Sequence, residues 1–312
     1  MIAADKAQIL QSAPVAPTAF SAVRDVPHEP FPALDVPVRT VFDQYLTRAE
    51  AGDAKAACWL GQRLAECTRS QLDREKTLRQ AGASLDPKMP DSEVALRLET
   101  EAQRLAQINR CEGIGAQQFR FALPLLRQAA LAGSVEAASS LMRNPNALGP
   151  GMPEPESLRL LARDQAGLAW SGIQAGSFDA LVRLSEMSVT TGTSMAIGNS
   201  QSVSMSGDER LMLHQLMQRL QQRLHTTYPD LRGHWMFAGM LLNERQPNEP
   251  LAPQQIARIH QLADQLFERG WSDAKRVRAR AAQRFKVQVE SDCQEFAAPF
   301  EPDFRLSEVL QP

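Results

Sequence analysis

The residues near position 230 are the ones whose types could support metal binding or acid–base catalysis. His225, Asp230 and His234 lie close together in the segment HTTYPDLRGHW. Imidazole and carboxylate groups bind Zn²⁺ and transfer protons near neutral pH. These three residues straddle Pro229, however, and they lack the i, i+4 spacing that places two ligands on one face of a helix. An enzyme with a helical active site near His225 and His234 is therefore kept as an alternative function.

The rest of the sequence offers no recognisable catalytic pattern. It has no glycine-rich phosphate loop, no G-x-S-x-G segment and no pair of carboxylates at a catalytic spacing. His214 and His260 occur within amphipathic segments, where we expect them at the surface or half-buried. We therefore assign no catalytic, metal-binding or cofactor-binding residue, and we expect no cofactor.

A run of cations near the C-terminus could bind an acidic partner. Residues 275–286, KRVRARAAQRFK, include six Lys or Arg and no acidic residue. Arg276, Arg280 and Arg284 are four residues apart, so in a helix they form a single stripe. The stripe could face nucleic acid, an acidic protein or only water, and its cations also complement the negative end of a helix. Since the net charge is -2 and only 6% of residues are aromatic, an acidic protein is favoured over nucleic acid.

The four cysteines allow three disulfide pairings. Cys58 and Cys67 lie in one predicted helix about 13 Å apart along its axis, which is too far for a disulfide. Of the remaining pairings we favour Cys67 with Cys111, because both lie at the ends of helices from successive segments and the span between them gains most from a cross-link. We expect Cys58 to be a buried free thiol rather than the partner of distant Cys293.

The cellular compartment is predicted from the cysteines and from the composition at the start of the chain. The first twenty residues lack the cationic start and apolar block of a secretory signal, whereas a segment rich in Pro and Ala commonly follows a removed signal. We therefore expect a periplasmic or secreted protein in its mature form. The alternative is a cytoplasmic protein with four reduced thiols.

Three segments share the pattern G-x-x-x-A-x-x-x-L, and each follows an amphipathic segment. A left-handed glycine commonly ends a helix, and an Asp or Ser after it can cap the next helix by accepting hydrogen bonds from its free amides. Residues four apart share a helix face, so the small Ala lets the preceding helix approach and the Leu fills the core. Each segment therefore predicts a corner between antiparallel helices. The corner residues are Gly52, Asp53, Ala56 and Leu60; Gly133, Ser134, Ala137 and Leu141; and Gly176, Ser177, Ala180 and Leu184.

The corner segments AEAGDAKAACWLG and QAALAGSVEAASSL resemble Sel-one-like repeats, which are relatives of tetratricopeptide repeats. In that family a helix ends in a turn that contains Gly, and the second helix begins with Ala at this offset. The resemblance implies an α-solenoid that presents a concave face to proteins or peptides, often as an adaptor.

The helical spacing predicts an all-α fold in which antiparallel helix pairs stack as an irregular α-solenoid. Residues 1–38 contain six prolines and should form an extended arm, residues 39–289 a helical-repeat domain, and residues 290–312 an irregular tail. Residues 190–208 are rich in Ser, Thr and Gly, which predicts a mobile loop. The predicted helices cover residues 39–51, 53–69, 91–110, 117–132, 134–143, 155–175, 177–187, 208–226, 230–243, 253–269 and 272–285.

These patterns favour a binding protein over an enzyme. Stacked helix pairs bury a core between neighbours and leave a long groove, which suits the binding of a protein or peptide. No apolar run in the sequence approaches the length of a membrane span. We therefore expect a scaffold or adaptor that binds its partner through the groove or through the loop at 190–208.

Overall fold

The computed structural model describes residues 30–33, 36–81, 90–143, 155–189, 206–234 and 251–284, together with Cys293, Phe296 and Val309. Within these residues the chain forms α-helices and one 3₁₀ helix, Pro229–His234, so the predicted all-α class is confirmed. The α-helices are α1 (Val38–Glu50), α2 (Ala54–Ala81), α3 (Asp91–Arg110), α4 (Ala116–Phe119), α5 (Ala122–Leu131), α6 (Val135–Arg143), α7 (Pro155–Gln174), α8 (Phe178–Val189), α9 (Gly207–Thr227), α10 (Pro253–Gly270) and α11 (Ala274–Arg284).

The three G-x-x-x-A-x-x-x-L segments form the corners α1–α2, α5–α6 and α7–α8. Their glycines, Gly52, Gly133 and Gly176, have φ angles of 97°, 98° and 81°. At the first corner the Gly52 amide donates to the Ala49 carbonyl at 2.9 Å, and the next amide along the chain donates to the Arg48 carbonyl at 3.0 Å. The other two corners repeat both bonds at the same offsets. This is the Schellman arrangement, which satisfies the free carbonyls of the first helix.

The residue after each glycine caps the second helix. Asp53 Oδ1 accepts hydrogen bonds from the amides of Lys55 and Ala56, each at 3.0 Å. The hydroxyls of Ser134 and Ser177 accept from the amide three residues further on, each at 3.3 Å. These bonds satisfy amides that a helix start leaves unpaired. Both ends of each corner are therefore fixed by residues that are adjacent in the sequence.

The small and large residues of the pattern pack as their sizes require. Ala56, Ala137 and Ala180 are fully buried, and the Leu four residues after each is buried as well. At the third corner, a Cβ atom added to Gly172 of α7 would lie 2.8 Å from the Cβ of Ala180. The side chain of Ala180 thus lies directly on the α7 backbone, and a larger residue at either position would separate the two helices.

Polar side chains link the corners to the neighbouring helix pairs. Gln128 of α5 donates through Nε2 to the carbonyl of Ala49 at 2.7 Å, which ties the second pair to the first corner. The hydroxyls of Ser139 and Ser177 lie 3.0 Å apart and join α6 to the third corner. Helix α2 packs against α5, and α6 packs against α7 and α8. Helix α10 packs against α7 and α9. Successive pairs are therefore neighbours in space.

Buried apolar side chains form two clusters. The first is built mainly from α1, α2, α5 and α6, and it also contains Cys293. The second is built from α7 to α11. Met142, at the end of α6, packs against both clusters. An ion pair between Arg127 of α5 and the fully buried carboxylate of Asp164 on α7, at 2.6 Å, crosses between the two halves.

Several predicted boundaries differ from those observed. Helix α2 continues to Ala81, twelve residues beyond its predicted end. Helix α9 begins at Gly207, inside the predicted loop, because Ser206 and Glu209 form a capping box with bonds of 2.7 and 3.2 Å. Residues 190–205, most of the predicted helix 230–243 and residues 1–29 of the predicted arm lie outside the described residues.

Two disulfides join segments of the first cluster. Cys67 and Cys111 are bonded, with Cα atoms 5.2 Å apart, which is the pairing that the sequence favours. The expectation of a free thiol at Cys58 is wrong: Cys58 is bonded to Cys293, with Cα atoms 5.9 Å apart across 235 residues of sequence. Cys58 is buried as expected, but the C-terminal segment returns to it.

The helices in the described part of the chain show no candidate membrane span. Each is too short or too polar to cross a bilayer.

Candidate partner-binding surface

An aromatic cluster lies beside the first corner. Tyr45 of α1 and Trp59 of α2 face each other with ring centroids 4.5 Å apart. The corner at Gly52 reverses the chain, so the last turns of α1 lie against the first turns of α2 and bring these two rings together. Only 2% of Tyr45 and 4% of Trp59 is exposed. The two rings form the floor of a surface that we call the aromatic floor.

An extended piece of the arm covers the aromatic floor. Phe31 lies parallel to the Trp59 ring, with an interplanar angle of 13° and a centroid distance of 6.3 Å, and its centroid is 6.4 Å from that of Tyr45. Pro30 and Pro32 flank it in a stretch without regular secondary structure. Proline fixes φ and has no amide N–H, so this stretch is held extended with few donors to satisfy.

Two arginines border the aromatic floor. The guanidinium of Arg48 lies 4.9 Å from the Tyr45 ring centroid, and that of Arg63 lies 5.7 Å from the Trp59 centroid. Each arginine is fixed by a carboxylate at 2.7 Å, Arg48 by Asp53 and Arg63 by Glu66. A cation over a ring face is attracted by the ring quadrupole. Both guanidinium groups are therefore held in place by ion pairs within the chain.

Sequence reasoning missed this surface. The chain has only two Tyr and four Trp residues, and one of each flanks the first Gly–Asp corner. That placement, with Phe31 between two prolines upstream, is a signal that could have identified it. Tyr, Trp and Arg are the residues that most often carry binding energy at protein interfaces. Chemically, the surface suits the binding of an extended segment.

The C-terminal segment also contacts the first two helix pairs. Cys293 is fully buried in the first cluster through its bond to Cys58. Phe296 forms an antiparallel bridge with Ser134 at the second corner, and the hydroxyl of Ser134 donates to Cys58 Sγ at 3.3 Å. Val309 packs against the second cluster. Cys293 and Phe296, which lie outside the helices, thus contact the first two helix pairs.

The predicted cationic stripe lies on α11, and two of its arginines lie at helix ends. Arg276 donates through Nη2 to the carbonyl of Arg269 near the end of α10, at 3.3 Å. The side chain of Arg280 lies beside the third corner, where a Cβ on Gly176 would meet its Nη1 at 2.6 Å. The side chain of Arg284 lies outside the described part. Cations at these places complement the C-terminal ends of α10 and α7 rather than the negative end of α11 itself.

The histidines and acid near position 230 do not form a metal cluster within the described residues. His225 is exposed near the end of α9, and the ring of His234 packs against that of Phe178 at 5.4 Å. Asp230 pairs with Arg278 of α11 at 3.2 Å. A search of the described residues finds no group of three His, Cys, Asp or Glu that could hold a metal ion. Asp230 therefore serves to link the 3₁₀ helix to α11.

Two polar groups of the second cluster have altered proton affinities. His214 is 2% exposed, so the expected position at the surface or half-buried is wrong. Its Nε2 has no hydrogen-bond partner among the described residues, and burial lowers its pKa from 6.5. Burial raises the pKa of Tyr228, whose hydroxyl donates to the carbonyl of Trp271. The indole of Trp271 in turn donates to the carbonyl of Ile173 at 3.0 Å. These two hydrogen bonds join the ends of α9 and α10 to the third corner.

The electrostatics at the start of α11 are those of a capped helix. Asp273 accepts a hydrogen bond from the amide of Arg276 at 3.1 Å. This bond, together with nearby cations, lowers the pKa of Asp273. A carboxylate at this position complements the positive end of the helix.

Comparison with known proteins gives no match. No protein-family model, curated protein or solved structure matches the chain. Functional inference therefore rests on the surface itself.

Proposed function

We propose that this chain is a protein- or peptide-binding helical-repeat scaffold, and that the aromatic floor is where a partner binds. The observation that carries the proposal is the docking of an extended segment of the chain itself, through Phe31, on Tyr45 and Trp59. A helical surface that accepts one extended segment has the shape and the aromatic anchors to accept another. The proposal needs no small-molecule cofactor.

We further infer that the helix pairs stack as an irregular α-solenoid similar to Sel-one-like and tetratricopeptide repeats. Support comes from three corners with identical backbone bonds and from the packing of α2 on α5 and of α6 on α7. In such a stack each pair contacts mainly its neighbours, which leaves long surfaces for binding.

The two disulfides support folding in an oxidising compartment, and we infer the periplasm or the extracellular space. Disulfides persist in these places, whereas cytosolic thiols are kept reduced. Counting thiols on the unfolded protein from its native source, without reductant, tests this inference. Four free thiols would contradict it.

The binding function is tested by photo-crosslinking of the intact protein in its native source. Gln44 is exposed on α1, one turn before Arg48, and a benzoylphenylalanine placed there borders the aromatic floor. Leu96 on α3 is 64% exposed and provides a control position outside this surface. We expect covalent adducts with a partner protein from position 44 and far fewer from position 96.

Other outcomes would favour the alternatives. Turnover of a substrate in an activity screen, with no adduct at position 44, would favour an enzyme whose site lies near His225 and His234. A third probe at Lys275, which is exposed on α11, reports on residues 275–286. Adducts found only at position 275 would indicate that the basic helix, and not the aromatic floor, binds the partner. That partner would be an acidic protein or nucleic acid.

A further inference from the structure

We propose that the aromatic floor binds a segment of another protein in which an aromatic residue stands between prolines, in the place that Pro30–Phe31–Pro32 fills in the free chain. This inference rests on the proposed binding function and specifies the chemistry of the partner. It follows from how the floor holds its own arm.

The floor selects an aromatic side chain. Phe31 stacks on the Trp59 ring at an interplanar angle of 13°, an arrangement that requires a planar group. Stacked and tilted aromatic pairs are favourable beyond the area they bury. Arg48 and Arg63 occupy the borders and are held by carboxylates, so the remaining place over the floor is apolar. An aliphatic side chain would lose the stacking, and an arginine, whose guanidinium is planar, would place a third cation beside Arg48 and Arg63.

The flanking prolines suit a surface built from helices. Helices use their own backbone groups internally, so they offer few partners to a peptide backbone. Pro30 and Pro32 have no amide hydrogen, which leaves fewer donors to satisfy when the segment is bound. An extended proline-containing segment is also ordered before it binds, so it loses less conformational entropy.

The arm is an exchangeable cover. Phe31 itself is only half-buried, whereas the rings beneath it are 2% and 4% exposed. Its loss therefore exposes two buried aromatic faces, which another aromatic group can cover. Six residues, 32–37, tether Phe31 to α1. Such a short tether gives the arm an effective concentration of about 1 mM at the floor.

This tether sets the size of the expected competition. If a free peptide binds the open floor with a Kd of about 0.1 mM, an arm at about 1 mM with the same affinity lowers its apparent affinity about tenfold. Removing the Phe31 ring removes the competitor and leaves the floor intact. The substitution Phe31→Ala should therefore increase peptide affinity, which is opposite to the usual effect of deleting an interface residue.

The experiment measures binding of a fluorescein-labelled synthetic peptide with the sequence of residues 26–37, VPHEPFPALDVP, to the intact protein. Fluorescence anisotropy is recorded for the wild type and for Phe31→Ala, after circular dichroism has shown equal helix content. We expect about tenfold tighter binding to Phe31→Ala. A peptide with Ala in place of its Phe is the matched control and should bind neither protein.

Position is tested with a peptide that carries benzoylphenylalanine in place of its Phe. We expect its adducts with Phe31→Ala to map to α1 and to the first turns of α2. Equal affinity for both proteins, equal binding of the Ala peptide, or adducts on other helices would each overturn the inference. So would a wild-type dimer in sedimentation that becomes monomeric in Phe31→Ala, because the arm of a second copy would then be the occupant.

Failure of this inference is distinguishable from failure of the binding function. Adducts with a native partner at position 44, combined with no peptide binding by Phe31→Ala, would leave the scaffold function standing and reject only the Pro-aromatic-Pro chemistry. Absence of adducts at position 44 would reject the scaffold function at this surface.

Discussion

The third corner depends on a close approach between two backbones, and replacing Gly176 by Ala tests it. A Cβ on Gly176 would overlap the carbonyl oxygen of Gly270. In the reverse direction, a Cβ on Gly270 would lie 2.6 Å from the carbonyl oxygen of Gln174 and 2.8 Å from the amide nitrogen of Gly176. Backbone atoms at the end of α7 and at the end of α10 are therefore in direct contact.

The expected loss in the free energy of unfolding has two sources, backbone strain at residue 176 and overlap with neighbouring atoms. Gly176 has a φ of 81°, and a left-handed conformation costs an L-residue roughly 1–2 kcal/mol. Reduced freedom of the unfolded chain offsets about 0.5 kcal/mol of this strain. Overlap with backbone that cannot rotate away adds roughly 1–3 kcal/mol. We therefore expect Gly176→Ala to lower the free energy of unfolding by about 2–4 kcal/mol.

Gly113 provides a matched control. Its φ is 76°, close to that of Gly176, but an added Cβ would meet only the Arg39 side chain at 3.4 Å, which is ordinary contact. Gly113→Ala should therefore show the conformational strain without the overlap, a loss of about 1 kcal/mol. The difference between the two variants isolates the contact between the third corner and the end of α10.

The assay is urea unfolding of the intact proteins, followed by circular dichroism in buffer without reductant so that both disulfides persist. The free energy of unfolding is compared at equal m-values. Equal losses for Gly176→Ala and Gly113→Ala, within about 0.5 kcal/mol, would refute the backbone contact between α7 and α10.

Three further variants test the buried contacts by the same unfolding assay. Tyr228→Phe removes the hydroxyl that donates to the Trp271 carbonyl and should cost about 1–2 kcal/mol, whereas no loss would mean that the bond contributes nothing. Burial lowers the pKa of His214 from 6.5 in the folded protein, so as the pH falls this imidazole is protonated in the unfolded chain before it is protonated in the folded one. The free energy of unfolding should therefore fall as the pH is lowered below about 6.5 and stay level above it. His214→Leu should show a weaker dependence of stability on pH than the wild type. An unchanged dependence would mean that other groups cause it. Replacing Cys58 and Cys293 together by Ser opens a 235-residue loop and should cost up to about 5 kcal/mol, and unchanged stability would contradict a role for this cross-link.

The corners could be predicted because neighbouring residues determine them. Gly52 supplies the positive φ, and Asp53 supplies the cap for the next helix one position later. Both requirements are local, and each residue type has a known conformational reason to be there. The all-α class followed in the same way from the spacing of apolar residues.

The pairing of Cys58 with Cys293 could not be predicted from local pattern. The two residues are 235 positions apart, and their approach depends on the path by which the chain returns to α2 after α11. Arg276 shows the same limit, because its spacing indicates a stripe while the carbonyl of Arg269 that it meets belongs to another helix. Contacts of this kind depend on tertiary packing. The spacing of residues along the sequence does not indicate which distant segments become neighbours.

The candidate surface lies between these cases. Tyr45 and Trp59 are visible in the sequence on either side of the first corner, and the corner itself brings them together. The prolines around Phe31 predict an extended arm, but they do not indicate what the arm touches. The contact of Phe31 with Tyr45 and Trp59 depends on where the arm lies relative to α1 and α2, which the sequence does not indicate.

Hydrogen exchange on the intact protein tests the proposed binding role of the first helix pair most directly. It is measured with and without any partner captured through position 44. Amides in helices exchange through local opening, and a bound partner slows that opening where it binds. We predict slower exchange in α1 and in the first two turns of α2, with α3 unchanged. Protection confined to residues 253–284, with none in α1 or α2, would contradict it.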